Sequence, residues 1–162
     1  MAKQHWLFKS DPEDFGLPHL KKCKNKTTLW DGVRNFQARN LLRDEIRVGD
    51  GVLFYHSQEK PPAVVALARV VRAAYPDPTQ FDARSKYHDP KSTPENPRWF
   101  VVDIRHERDL KHPVSLPDIR ETPALEKMVL VNRSRLSVQP VRPEEWRIIL
   151  KMGARQARSV PG

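Results

Sequence analysis

The chain contains the stretches Trp30-Asp31-Gly32-Val33-Arg34-Asn35-Phe36-Gln37-Ala38-Arg39-Asn40 and Val48-Gly49-Asp50-Gly51-Val52-Leu53-Phe54-Tyr55-His56-Ser57. The first places an indole ring before a Gly turn and a helix rich in Arg, Asn and Gln. The second is an apolar strand with a polar end. Apolar residues anchor such a strand in a core, while the ring and the polar groups at its mouth offer stacking and hydrogen bonds. Together they predict a pocket for a flat, polar ligand.

Strands and short helices alternate around these two stretches. Apolar and alternating runs predict strands at residues 5–9, 27–30, 52–56, 63–73, 98–106 and 135–141. Capping residues predict a helical segment that follows Ser10-Asp11-Pro12 and runs through Lys22, helices at 35–45 and 143–153, and shorter helical turns after Ser115 and at 123–128. Five or six strands with short helices between them predict an α+β fold, a small mixed β-barrel with peripheral helices.

The helix at 35–45 is predicted to be amphipathic. Its apolar residues recur at helical spacing and are expected to face the core, namely Phe36, Leu41, Leu42 and Ile46. Five further aromatic side chains on strands and helices are also expected in the core, namely Trp6, Phe8, Phe54, Trp99 and Trp146.

Residues 75–97 form a long loop in this interpretation. Prolines at positions 76, 78, 90, 94 and 97 exclude a regular element through the segment. Loops longer than about 12–15 residues are often functional, which makes Lys86, Tyr87, His88 and Lys91 candidate ligand contacts. A loop that merely wraps the barrel would have the same composition.

Length and charge restrict the class of protein. A chain of 162 residues has the usual size of one domain. Its 29 Lys and Arg residues against 20 Asp and Glu residues give a net charge of +9, which favours contact with nucleic acid. A solvated basic surface without that role remains an alternative.

The single cysteine and the N-terminal sequence indicate an intracellular protein. Cys23 has no second cysteine with which to form an internal disulfide, and no long apolar segment indicates a signal peptide or a membrane span. We expect a monomer in the cytoplasm, or in the nucleus if the source is eukaryotic, with no membrane contact.

Motifs of catalysis and cofactor binding are missing from the sequence. It contains no Gly-x-Ser-x-Gly elbow, no phosphate-binding loop, no Gly-x-Gly-x-x-Gly and no His-x-x-x-His pair. We therefore predict no catalytic residue, no metal site and no cofactor. One alternative stays open, a small enzyme that acts on a nucleotide or related metabolite through Cys23 or a dispersed set drawn from Ser57, His56 and Asp31.

Several motifs, taken in order, resemble the EVE domain family of the PUA-like superfamily. They are Trp6-Leu7-Phe8-Lys9-Ser10, the two stretches quoted first, Tyr75-Pro76-Asp77-Pro78, Lys86-Tyr87, Asp89-Pro90-Lys91 and Ser134-Arg135-Leu136-Ser137-Val138-Gln139-Pro140. The likeness covers about residues 4–152 and is greatest to the thymocyte nuclear protein family and its bacterial single-domain relatives. It implies a PUA-like barrel over residues 1–152, a pocket for a modified base and no catalytic activity of its own. Residues 153–162 would be a basic, flexible tail.

A reader of single bases needs an aromatic face and groups that recognise the edge of the base. Trp30 is the candidate for stacking, and the full predicted pocket is Ser10, Trp30, Asn35, Tyr55, His56, Ser137 and Gln139. Predicted contacts to the nucleic-acid backbone are Lys9, Arg34, Arg39, Lys86 and Arg135. Trp30 could instead belong to the core, His56 could be structural, and Ser137 and Gln139 could bond to the backbone. The function predicted is a non-catalytic reader of a methylated or hydroxymethylated base in DNA or RNA.

Overall fold

A computed structural model of the protein describes residues 3–132 and 135–154. Its strands are β1 (His5–Ser10), β2 (Thr27–Leu29), β3 (Gly51–His56), β4 (Ala63–Pro76), β5 (Phe100–Ser115) and β6 (Val138–Val141). Its α-helices are α1 (Pro12–Phe15), α2 (Leu17–Lys22), α3 (Phe36–Asp44), α4 (Leu116–Arg120), α5 (Val129–Asn132) and α6 (Pro143–Ala154). Short 3₁₀ turns occupy Lys24–Lys26, Pro78–Phe81 and Pro123–Leu125.

The strands form one mixed sheet in the order β2-β5-β4-β3-β1-β6. Neighbouring strands are antiparallel except β1 and β3, which are parallel. This arrangement confirms the predicted α+β class with a mixed sheet and peripheral helices. The sheet is not a closed barrel, because its edge strands β2 and β6 have no hydrogen bonds to each other among the described residues.

Both faces of the sheet are buried. Alternation along β1 and β3 directs Trp6, Phe8 and Phe54 to one core cluster and Leu7 and Tyr55 to the other. Every residue of β3 is buried, as the apolar run predicted. Because a fully buried large apolar side chain contributes about 1.5–3 kcal/mol, this central strand fixes the position of β1 and its polar end.

Helix α3 begins beside β2 and packs one face on the first core cluster. Asn35 caps it by accepting a hydrogen bond from the Ala38 backbone N–H at 3.0 Å. Leu42 and Ile46 are buried as predicted. The prediction for Phe36 was wrong, since 47% of this residue is exposed. As the first residue of the helix it lies beyond the core and stacks on Trp99 instead, with ring centroids 4.8 Å apart.

The proline-rich segment is an ordered loop built around the buried side chains of Gln80 and Ser92. Gln80 donates hydrogen bonds to the carbonyls of Asp77 at 2.7 Å and Trp99 at 2.9 Å. Its carbonyl oxygen accepts the Ser92 hydroxyl at 2.5 Å and the Arg98 backbone N–H at 3.2 Å. These contacts join the two ends of the loop.

Several elements extend beyond their predicted ends, among them β4, which continues to Pro76. Strand β5 continues to Ser115, because Leu110 and Val114 are buried while Lys111 and Pro113 between them are exposed. Helix α6 continues through Ala154, and the rest of the predicted flexible tail lies outside the described residues.

Candidate functional site

A cavity of about 520 Å³ opens at the C-terminal end of β1. It is bounded by α1, the end of β2, the turn that follows β2, and the proline-rich loop. The lining residues are Lys9, Ser10, Asp11, Asp14, Phe15, Thr28, Leu29, Trp30, Asp31, Gly32, Val33, Arg34, Lys86, Tyr87 and Ser137. Its volume falls within the range of about 300–1,000 Å³ that is usual for small-molecule sites.

Trp30 forms both a wall of this cavity and part of the core. Only 7% of the residue is exposed. Its neighbours are aromatic, with ring centroids at 5.2 Å for Phe8, 5.6 Å for Phe54 and 6.3 Å for Phe15. The backbone N–H of Trp30 donates to the Val102 carbonyl at 2.8 Å, which continues the pairing of β2 with β5. The indole is therefore held rigidly at the edge of the cavity.

The turn after Trp30 requires glycine at position 32. Gly32 has φ of +79°, a left-handed conformation that is unfavourable for other residues. A Cβ atom there would also lie 2.5 Å from Cζ of Tyr87. The hydroxyl end of the Tyr87 ring thus rests directly on the turn, and this contact brings the loop to the cavity wall.

Arg34 joins the turn to the loop. Its guanidinium donates to the Asp77 carboxylate at 3.0 Å, to the Thr79 hydroxyl at 3.2 Å and to the Tyr87 carbonyl at 2.7 Å. The fully buried Asp77 also accepts the Gly32 backbone N–H at 3.0 Å. A buried carboxylate needs such partners, because an unpaired buried charge is strongly unfavourable. Arg34 and Asp77 therefore hold Tyr87 in place.

Charges of both signs surround the cavity. Burial, and then the negative charge of Asp77, raise the pKa of the Asp31 carboxyl. Burial lowers the pKa of the Lys9 ammonium. Lys86 lies 3.8 Å from the Asp14 carboxylate, and both side chains are 64% exposed. The lining thus combines the carboxylates of Asp14 and Asp31 with the ammonium groups of Lys9 and Lys86.

Three of the predicted pocket residues line the cavity, namely Ser10, Trp30 and Ser137. The Ser10 hydroxyl donates to the Phe15 carbonyl, which connects β1 to α1. Ser137 precedes β6, and its carbonyl accepts the Lys9 backbone N–H at 2.9 Å. Both serines therefore hold the local backbone together and also face the opening.

The other four predicted pocket residues do not line it. Asn35 is the cap of α3. Tyr55 lies in the second core cluster, because it follows Phe54 on an alternating strand, and burial raises its pKa to about 12. His56 is buried and accepts the Leu17 backbone N–H at 3.0 Å. Gln139 is fully buried and donates to the Leu136 carbonyl at 2.7 Å. None of these four lines the cavity: Asn35, His56 and Gln139 hydrogen-bond to the backbone, and Tyr55 packs in the core.

The predicted backbone contacts divide in the same way. Lys9, Arg34 and Lys86 line the cavity, although the contacts of Arg34 make it a structural clamp. Arg39 lies outside the lining and donates to the Arg98 carbonyl at 2.6 Å. Arg135 is exposed in the turn before β6 and is also outside the lining.

Four residues that build the cavity or its support were not among the predicted pocket residues, namely Gly32, Asp31, Tyr87 and Asp77. Of these, Tyr87 was predicted as a candidate ligand contact on the long loop. A signal for Asp77 existed in Asp77-Pro78-Thr79, because Asp before such a turn often caps it. Its carboxylate indeed accepts the Thr79 backbone N–H at 2.8 Å.

Of the residues considered for the enzymatic alternative, Asp31 lines the cavity, while Cys23, His56 and Ser57 do not. The Cys23 thiol donates to the His19 carbonyl at 3.3 Å at the end of α2, and neither Cys23 nor His56 belongs to the lining. Across residues 3–132 and 135–154, no group of three His, Cys, Asp or Glu side chains is arranged to hold a metal ion. No helix within those ranges has the length and hydropathy that a membrane span requires.

Several known proteins align with more than nine-tenths of this chain. Thymocyte nuclear protein 1 of Danio rerio is 40% identical over 164 residues, which cover 91% of this chain and 71% of the relative. A solved hypothetical protein from Leishmania major is 45% identical with a TM-score of 0.88, over 94% of this chain and 95% of that one. The human THYN1 protein, solved in complex with 5-methylcytosine-containing DNA, is 37% identical with a TM-score of 0.89, over 95% and 99%. The EVE domain matches residues 4–152, and the chain therefore belongs to the EVE domain family.

Proposed function

We propose that the cavity receives one modified base extruded from a nucleic-acid strand and that the protein is a non-catalytic reader of that base. One observation carries the proposal: the cavity at the end of β1 combines the rings of Trp30 and Tyr87 with polar groups in a space suited to a small molecule. The human THYN1 protein, solved with 5-methylcytosine-containing DNA, supports cytosine as the parent base.

The walls and the mouth of the cavity would recognise different parts of a base. Aromatic rings stack on its faces, since every base has a π-face. The Asp31 carboxylate would accept a hydrogen bond from an exocyclic amino group, as Asp and Glu do from the N4 of cytosine. Lys9 and Lys86 would lie near the phosphates that flank the extruded nucleotide. Affinity would then come from stacking and charge, and the choice of base from Asp31 and nearby backbone groups.

Recognition of a methyl group would be a small addition to this binding energy. One buried carbon of that size is worth about 0.8 kcal/mol, which corresponds to about fourfold in affinity. Phe15 and Val33 provide apolar surface in the lining for such a contact. We expect preference for a methylated base to be graded rather than absolute.

The experiment compares matched DNA and RNA oligonucleotides that carry cytosine, 5-methylcytosine or 5-hydroxymethylcytosine at one position. Affinity is measured by fluorescence anisotropy for the wild type, Tyr87→Leu and the control Tyr75→Leu. Tyr87→Leu removes the ring from the cavity wall but keeps the carbonyl that Arg34 binds. Loss of a stacking ring is expected to weaken binding about 5- to 140-fold. Tyr75 is half-buried outside the lining and should not matter.

Trp30→Ala is a less specific test because Trp30 also packs against three aromatic rings. Equal affinity of the wild type for all three bases would contradict a reader of modification. Unchanged binding by Tyr87→Leu would contradict this cavity as the base site.

A further inference from the structure

A second aromatic surface lies beside the cavity and has no assigned role. Among residues 3–132 and 135–154, the exposed large apolar side chains are Phe36, at 47%, and Val48, at 61%. Val48 is an isolated residue in the turn before β3. Phe36 is stacked on the buried Trp99 at 4.8 Å with an angle of 23° between the rings.

Two arginine side chains make cation–π contacts with the exposed ring. The guanidinium carbon of Arg39 lies 4.8 Å from the centroid of Phe36, and that of Arg98 lies 5.4 Å from it. Both also lie within 6.0 Å of the Trp99 ring. We name Phe36, Arg39 and Arg98 the Phe36 patch. An exposed ring bordered by guanidinium groups is complementary to a stacked base with its phosphates.

The patch is rigid before any ligand binds. Trp99 donates its indole N–H to the Asp89 carboxylate at 2.7 Å, and Arg98 lies 3.2 Å from the same group. Arg39 donates to the Arg98 carbonyl at 2.6 Å. Side chains held in this way lose little conformational freedom on binding. The rings and charges of the patch therefore have a fixed arrangement.

The patch is close to the cavity. Phe36 follows Arg34 by two residues, so their Cα atoms are at most about 7 Å apart. The Arg34 guanidinium carbon lies 5.5 Å from the Tyr87 ring in the cavity wall and 5.3 Å from the Trp99 ring under the patch. Arg34 thus lies between the cavity wall and the patch, which places the patch where a nucleotide adjoining the extruded one can reach it.

We propose that the Phe36 patch is a second nucleic-acid contact, on which a base next to the extruded base stacks while Arg39 and Arg98 face its phosphates. This inference rests on the proposed function of the cavity. The patch differs from the cavity because stacking of a base on Phe36 does not depend on the modification. The patch would add affinity for the strand, while the cavity selects the base.

The test uses a DNA oligonucleotide with one 5-methylcytosine and the fluorescent base 2-aminopurine at the adjoining 5′ or 3′ position. Its partner probe is 5-methyl-2′-deoxycytidine monophosphate, which reaches only the cavity. Phe36→Leu keeps an apolar cover on Trp99 without a ring, and Phe36→Ala removes the cover. Val48→Ala is the matched exposed control. Thermal denaturation verifies that each variant is folded.

We expect Phe36→Leu and Phe36→Ala to weaken oligonucleotide binding about 5- to 140-fold. Both should abolish the 2-aminopurine quenching at one neighbouring position and leave monophosphate binding unchanged. Val48→Ala should behave as the wild type. Wild-type affinity and quenching in Phe36→Leu would overturn the patch while leaving the cavity intact. Failure of the wild type to bind the monophosphate, with Phe36-dependent binding of unmodified strands retained, would overturn the cavity alone. No binding of any strand would overturn both.

Discussion

Two cavities of nearly equal volume lie at opposite ends of β1, and only one has the lining of a base site. The cavity at the C-terminal end measures about 520 Å³, and the one at the N-terminal end about 550 Å³. The second is lined by Lys3, Gln4, His5, Arg47, Asp50, Pro140, Val141, Arg142 and Pro143. Among these described lining residues there is no Trp, Tyr or Phe. Volume and positive charge are thus shared, while stacking surface is not.

A buried aspartate supports each cavity, but the two aspartates hold different things. Asp50 accepts the Trp6 indole N–H at 2.9 Å and the Arg47 backbone N–H at 2.9 Å, and so it closes the turn before β3. Asp77 binds Arg34 and Gly32, and so it positions the long proline-rich loop that carries the Tyr87 ring. The difference is that the wall of the cavity near Trp30 includes a loop held to the turn after β2 by the ion pair of Asp77 and Arg34.

The largest expected effect comes from replacing these two aspartates. Asp77→Asn should cost about 3 kcal/mol in free energy of unfolding, the lower end for breaking a buried ion pair, because the Arg34 side chain keeps 23% exposure. It should also weaken oligonucleotide binding. Asp50→Asn should cost about 1–3 kcal/mol for weakened buried hydrogen bonds and leave binding unchanged. Urea denaturation and anisotropy measure both. Unchanged binding in Asp77→Asn would remove the functional difference between the cavities.

Glycines with positive φ provide the next test. Gly32 has φ of +79° and Gly49 has φ of +95°, so alanine at either should cost about 1–2 kcal/mol in stability. A Cβ at Gly49 meets no atom within 4 Å, whereas at Gly32 it meets Tyr87. Gly32→Ala should therefore displace the ring and weaken binding about 5- to 140-fold, and Gly49→Ala should not. Equal binding by both variants would show that the Tyr87 contact is unimportant.

The pH dependence of stability also distinguishes the two cavities, with a smaller expected effect on the free energy of unfolding. The pKa of Asp31 is raised above 3.8 by burial, so the folded state holds its proton more tightly than the unfolded state. Its contribution to stability is therefore lost as pH rises from 3.8 through the raised pKa. Burial, and then Lys3, lower the pKa of His5 below 6.5, so its contribution is lost as pH falls from 6.5 through the lowered pKa.

These shifts are measured by urea denaturation of the wild type, Asp31→Asn and His5→Gln, in steps of about half a pH unit from about pH 3.5 to about pH 8. Asp31→Asn should remove the loss of stability that the Asp31 carboxyl causes as pH rises from 3.8 through its raised pKa. His5→Gln should remove one below pH 6.5. A stability curve for either variant that runs parallel to the wild type would contradict the corresponding shift.

The smallest expected effect concerns the exposed charges. Lys86→Gln should leave stability unchanged, because its pair with Asp14 at 3.8 Å is exposed on both sides. It should reduce the slope of log affinity against log salt by about 1 if Lys86 contacts a phosphate. Arg47→Gln at the other cavity should leave that slope unchanged. Equal slopes in the two variants would show that charge is not concentrated at the cavity of Trp30.

Local patterns predicted the elements well and the contacts at their ends poorly. The apolar run of β3 and the spacing of Leu42 and Ile46 in α3 identify those elements and their buried sides. Phe36 was wrongly predicted to face the core, because as the first residue of α3 it lies beyond the core cluster. Tyr55 lies in the second core cluster, because it alternates with Phe54 along β3.

The roles of polar residues depended most on partners distant in the chain. Arg34 was predicted to contact phosphate, but Asp77, which is 43 residues away, makes it a clamp. His56 accepts the backbone N–H of Leu17, which is 39 residues away. No local spacing contains such pairings, so sequence patterns could identify polar residues near the site without identifying which of them support the backbone.

By itself the sequence determined the α+β class, which residues form most of the strands and helices, and the turn that follows Trp30. Periodic burial and turn chemistry act over a few residues, so local patterns carry this information. Tertiary structure alone decided that the sheet stays open, that Tyr87 rests on Gly32, and that Phe36 faces solvent beside the cavity. Those outcomes depend on how separate segments meet in space, where one buried carboxylate at Asp77 joins the loop to the turn.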